Sequence, residues 1–141
     1  MKRSTFLAVA SFIAMAIGLF ALSTPVVLLE TAKVAIANGA AVAMTRTVGV
    51  LIFCSGILNY MVRNDPDSGT LKSVLVANLL LQVAMMPLDP IAYAVGAFHT
   101  LGSFVPNTIL HVLLAGGFVF YLSRMRVPHA AFVGSTSKPG A

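Results

Sequence analysis

The chain has 141 residues, of which 58% are hydrophobic and only 9% charged. Soluble domains carry roughly a quarter charged residues, so nine basic and four acidic side chains cannot coat a water-soluble globule this apolar, and the solvent implied is lipid. The net charge of +5 is spread over ends and loops, which speaks against nucleic-acid binding and makes the charges a guide to topology.

About 20 apolar residues cross a bilayer, so four spans and their loops use up the length and leave no room for a separate soluble catalytic domain. The expected fold is all-α: an integral membrane four-helix bundle over residues 1–126, with a flexible C-terminal tail over 127–141. The first span is expected over residues 6–29, preceded by Lys2 and Arg3. A secretory signal peptide competes for this segment, because Ala21-Leu22-Ser23 resembles a cleavage site. The apolar run continues past Ser23 through Pro25 to Leu29, which favours a span.

The strictly apolar part of the second span, residues 47–62, reaches only about 24 Å as a helix. That is short of the roughly 30 Å hydrocarbon core, so the helix is expected over 40–62, with Arg46 inside it. Cys54 has no partner for an internal disulfide and reads as a small buried apolar residue. The segment RNDPDSGTLK is dense in turn formers, and Ser68 or Thr70 is expected to cap the next helix. The third span, 71–98, contains MMPLDP, where Pro87 and Pro90 each remove a backbone donor and predict a kink. The fourth span is expected over 104–122, with Pro106 in its first turn. Tyr60, Tyr93 and Tyr121 sit toward span ends, as amphipathic rings do.

Lys2, Arg3, Arg63, Lys72, Arg124, Arg126 and Lys138 fall on one side of this arrangement, and Lys33 and Arg46 on the other. Both termini are therefore expected in the cytoplasm. With that direction fixed, Asp89 lies 17 residues beyond Lys72, about 25 Å along a straight helix. Glu30, Arg46, Asp89 and His111 then share one shallow layer in the outer leaflet. Asn78, Gln82 and Asp89 fall on one helical face, as do Asn107 and His111. Gly49 and Gly56 stand seven residues apart and, with Gly116 and Gly117, mark faces for close helix packing. An arginine in hydrocarbon needs a counter-charge or water; Asp89 is the first candidate for Arg46 and Glu30 the second. The rival reading of the same residues is structural: Asp89 capping the helix after the kink, and Arg46 reaching headgroups.

Sharper chemistries find less support. His99 and His111 make bis-histidine haem ligation conceivable without any motif for it, and Glu30, Asp89, His99 and His111 lack a metal-site spacing. No nucleophile elbow, Cys–His arrangement or phosphate-cradling loop is present. The seven methionines include no spaced array, and His129 reads as solvated. No catalytic residue, metal or cofactor is assigned.

The segments STPVVLLE, TRTVGVL, GILNY, RNDPDS and HVLLAGGFVFYL together resemble the small four-helix bacterial inner-membrane proteins grouped as DoxX-like. Some members of that grouping are linked to oxidoreductase complexes or quinone-related metabolism, and no residue role carries over from them. The expected function is a non-enzymatic accessory or assembly partner of a membrane complex, with helix faces suited to a protein partner or a second copy. The alternative is binding of a lipophilic, quinone-like ligand, or a redox-accessory role, at a polar pocket in the outer leaflet. A small transporter or proton path ranks lower, since the line Asn78–Gln82–Asp89 has no ionisable partner in the inner half of the membrane.

Overall fold

A computed structural model describes residues 2–34 and 38–126; the expected tail, with His129 and Lys138, lies outside the described residues. The elements in chain order are α1 (Arg3–Ser23), α2 (Pro25–Thr31), α3 (Gly39–Val62), α4 (Gly69–Met85), α5 (Leu88–Ala94), a 3₁₀ turn (Leu101–Ser103) and α6 (Val105–Arg124). Four helical segments are long and apolar enough to cross a membrane: α1, α3, α4 continued by α5, and α6. Among the described residues there is no strand, only an isolated bridge between Val34 and Phe98.

Local chemistry sets the helix ends. The first helix stops at Ser23 instead of continuing to residue 29. Thr24, at φ −130° and ψ 54°, leaves the helical region, as the residue before a proline tends to, and Pro25 opens the separate α2. Asn38 starts α3 by accepting from the Ala41 N–H at 3.0 Å. Of the two caps expected for α4, Ser68 is the one used, accepting from the Leu71 N–H at 3.1 Å. The MMPLDP segment separates α4 from α5 where Pro87 has no N–H to continue the ladder. Pro106 sits in the first turn of α6, where its missing N–H costs nothing.

The helices pack as two pairs, α1 with α3 and α4 with α6. The α1–α3 seam is antiparallel and built on small residues. A methyl group placed on Gly18 would lie 2.6 Å from Phe53 N and 2.7 Å from Gly49 O; one on Gly49 would lie 2.8 Å from Gly18 O; one on Gly56 would lie 3.0 Å from Ser11 O. The backbones therefore touch, as small residues permit in membrane helices. Ser11 is buried in this seam and donates to Leu7 O at 2.6 Å, inside its own helix.

The pairs join at one end, where Phe6 and Leu7 of α1, Leu71 and Leu75 of α4, and Phe118 and Tyr121 of α6 form the core. The Phe6 ring meets Phe118 edge-on at 5.1 Å between centroids. At the same end Asp67, in the turn after α3, forms an ion pair with Arg3 and accepts from the Arg126 N–H at 3.0 Å. Arg3 also donates to the Asp65 carbonyl. One turn thus clasps the start of α1 and the end of α6. Away from the seam, α3 presents Met44, Leu51, Leu58 and Met61 outward, a surface matched to lipid tails. Cys54, expected to be buried, is exposed on α3, because the seam with α1 takes the glycine face of the helix and turns Cys54 away from it.

Candidate functional site: a cavity between the helix pairs

Above the shared core the two pairs separate around a cavity of roughly 230 Å³, with walls from all four long helices. Ile13, Ile17, Ile52, Leu81, Leu110 and Leu114 make it apolar; Ser55 and Asn59 from α3, Asn78 and Gln82 from α4, and Asn107 and His111 from α6 bring polar atoms to it.

Toward the Asp67 end, Asn59 and Asn78 form a reciprocal amide pair, each Nδ2 donating to the other's Oδ1 at 2.9 Å. Asn78 Nδ2 also donates to Val74 O at 2.8 Å. Both side chains are buried, and this pairing meets the hydrogen-bonding needs of amides removed from water. It is the bridge between α3 and α4, which otherwise touch little.

Toward the other end a hydrogen-bonded row runs from α5 through α6 to α4. Asp89 Oδ2 accepts from Asn107 Nδ2 at 2.8 Å and from Thr108 Oγ1 at 3.3 Å. Asn107 Nδ2 also lies 3.2 Å from His111 Nε2, and His111 Nδ1 lies 2.5 Å from Gln82 Oε1. The roles follow from the atoms: Gln82 Oε1 can only accept, so the imidazole proton sits on Nδ1, and Nε2 accepts from Asn107. Both histidine nitrogens are thereby engaged by protein groups, which makes His111 a positioning group that fixes the Gln82 amide.

Two donors are left over. The Gln82 side chain is 9% exposed, its oxygen is taken by His111, and its amide nitrogen has no partner among the described residues. The Ser55 hydroxyl lines the same cavity, also without a partner among the described residues. A ligand bringing an acceptor into the cavity would give that amide nitrogen the hydrogen-bond partner the protein does not supply. The arrangement can therefore hold an uncharged apolar molecule carrying a carbonyl-type oxygen.

The residues expected in one layer separate into two groups. Asn78, Gln82, Asn107, His111 and Asp89 come together in this row and cavity. Arg46 and Glu30 do not: both are exposed, and the ion pair found among the described residues is Arg3–Asp67, not one between Arg46 and either carboxylate. The glycine seam fixes how α3 is rotated, and that rotation points Arg46 outward. Gly49 and Gly56 lie in the seam, Gly117 faces the Phe6 ring, and Gly116 has nothing within 4 Å. His99 is exposed, and no cluster of three metal-ligating side chains occurs among the described residues.

Sequence reasoning missed Gly18, Ser55 and Asn59. Gly18 had a signal, since Ser11 and Gly18 repeat the seven-residue spacing of Gly49 and Gly56. Asn59 had one too, as a lone amide in an apolar run; Ser55 had none that separates it from an ordinary small residue. No family model matches this chain, and neither a curated protein nor a solved structure matches it.

Proposed function

We propose that this protein is a multi-pass protein of the bacterial inner membrane that binds a lipophilic, quinone-like molecule in the cavity between its helix pairs. The observation that carries the reading is the Gln82 amide, nine-tenths buried, oriented by His111 and left with an unpartnered nitrogen at an apolar cavity. A quinone-type carbonyl is an acceptor for that nitrogen, and its ring and substituents suit the isoleucine and leucine walls. The resemblance to DoxX-like proteins agrees with such a ligand. Both termini are assigned to the cytoplasm on the grouping of Lys2, Arg3, Arg63, Lys72, Arg124 and Arg126 on one side.

The test is purification in mild detergent with mass spectrometry of co-purifying lipids. Wild-type protein is expected to retain an isoprenoid or related carbonyl lipid, and Gln82→Leu to retain about tenfold less while eluting as the same species on gel filtration. Equal retention by Gln82→Leu removes the reading.

A second reading is favoured by a separate observation. Arg46 stands exposed on a span with no ion-pair partner among the described residues, and a charge there calls for an external acidic group or a headgroup. An acidic span of a larger membrane complex would supply one, which makes the protein an accessory or assembly partner. Crosslinking from position 46 in intact membranes tests this: capture of a single protein species supports it, and capture of lipid alone removes it.

A further inference from the structure

A second opening lies beside the cavity, between α3 and α4. It is a groove of roughly 590 Å³ lined by Cys54, Leu58, Val74, Ala77 and neighbouring side chains. Ser55, Asn78 and Leu81 line both the groove and the cavity, so the two share a wall of three residues. Cys54, Leu58, Ala77 and Leu81 are exposed, so the groove opens on the outside of the bundle. Two of the other helix seams around the cavity are packed, α1 on α3 by touching backbones and α4 on α6 by side chains, while α1 and α6 meet where Phe6 packs against Phe118.

Volume then decides what each space can hold. At roughly 230 Å³ the cavity falls below the roughly 300–1,000 Å³ of ordinary small-molecule sites. Cavity and groove together fall within that range. A membrane amphiphile held by its head at Gln82 must place its hydrocarbon chain somewhere apolar and adjoining the head site, and the α3–α4 groove lies directly against the cavity across Ser55, Asn78 and Leu81.

Building on the ligand site proposed above, we infer that the α3–α4 groove is its lateral arm: the ligand's hydrocarbon chain lies along Cys54, Leu58 and Ala77, and the molecule enters sideways from the bilayer. The Asn59–Asn78 pair sets how far the two helices stand apart, and the groove runs past Asn78 to Val74 and Ser73, toward the Asp67 end. The ligand class is accordingly a single-chain carbonyl amphiphile, not a compact head alone.

The probes are 2,3-dimethoxy-5-methyl-1,4-benzoquinone with and without a decyl side chain, titrated against full-length protein in nanodiscs. Affinities are taken from bound probe corrected for partition into empty discs. Wild type is expected to bind the decyl form roughly tenfold or more tighter than the head-only form, since a chain seated in the groove adds van der Waals contacts that the head-only probe cannot make. Filling the groove, either by Ala77→Phe or by N-ethylmaleimide on Cys54 of the folded wild-type protein, is expected to abolish that preference and leave the head-only probe unchanged. Gln82→Leu is expected to weaken both probes alike. If Gln82→Leu weakens both but the decyl preference is absent, or survives a filled groove, the lateral arm is wrong and the head site stands. If neither probe binds wild type, or Gln82→Leu changes neither, the head site itself is wrong and the groove falls with it.

Discussion

Helices α1 and α3 meet backbone to backbone, whereas α4 and α6 meet through side chains, and the two seams are specified by different residues. The first has no polar contact between its helices to position; its geometry comes from Gly18, Gly49, Gly56 and Ser11 allowing close approach. The second carries the His111–Gln82 contact and the aromatic core around Phe118. A close seam can act as a rigid wall, since any added atom meets backbone. A side-chain seam can present polar groups sideways, so the cavity's oriented amide comes from the second pair while the first supplies most of its smooth apolar wall. In lipid there is no hydrophobic force between helices, so van der Waals contact and hydrogen bonds carry such seams.

The contrast can be broken most strongly at Gly18. Gly18→Leu places its first side-chain carbon within 3 Å of Phe53 and Gly49 backbone atoms, where nothing flexible can give way. The expected loss is about 3 kcal/mol or more, read as a lower melting temperature in detergent and as material that elutes aggregated. A wild-type melt would mean that α1 and α3 do not touch here. Next in size is the amide pair. Asn59→Leu leaves Asn78 with one partner lost in a buried setting and is expected to cost about 1–2 kcal/mol. Asn59→Leu combined with Asn78→Leu is expected to recover a good part of that, because no stranded amide remains; strictly additive losses would show that the pair is not formed.

The Asp67 clasp gives a smaller, pH-dependent effect. The Arg126 N–H first, and the Arg3 side chain second, hold the Asp67 carboxyl below its ordinary value of 3.8. A carboxyl with a lowered folded-state pKa stabilises the fold above the unfolded value, and that contribution is lost as pH falls through the folded value. The melting temperature is therefore expected to be level, as far as this group is concerned, above about pH 5 and to drop below about pH 4. Asp67→Asn should remove that component; an unchanged acid limb would mean the clasp is open in solution. The smallest expected effect is at Gly116, where an added side chain meets nothing within 4 Å. Gly116→Leu should leave stability within about 0.5 kcal/mol of wild type, and a larger loss would reveal a protein partner seated on that face.

The residues legible in sequence were those whose chemistry acts locally. Hydropathy marked the spans, Ser68 marked the start of α4, and the prolines of MMPLDP marked the break before α5. The site was partly legible: the spacing of Asn78 with Gln82 and of Asn107 with His111 placed each pair on one face, and the structure joins those faces. For Arg46 two directions were open, inward to a carboxylate or outward to headgroups, and its exposure agrees with the outward one; sequence could not choose because a seam made by residues of another helix sets how α3 is rotated. Asn59 escaped for a related reason: its meaning comes from Asn78, 19 residues away on a helix of different register.

The clasp at Asp67 also bears on the order in which the molecule is made. Arg3 precedes Asp67 by 64 residues, and Arg126 follows it by 59. The glycine seam needs nothing beyond residue 62, so the first pair can associate while the rest of the chain is still on the ribosome. Asp67 can engage Arg3 soon afterwards, but its bond to the Arg126 backbone must await release of the last span. The first pair is thus available as a finished surface for the second to settle on, and the fastening that joins them is the final one to close.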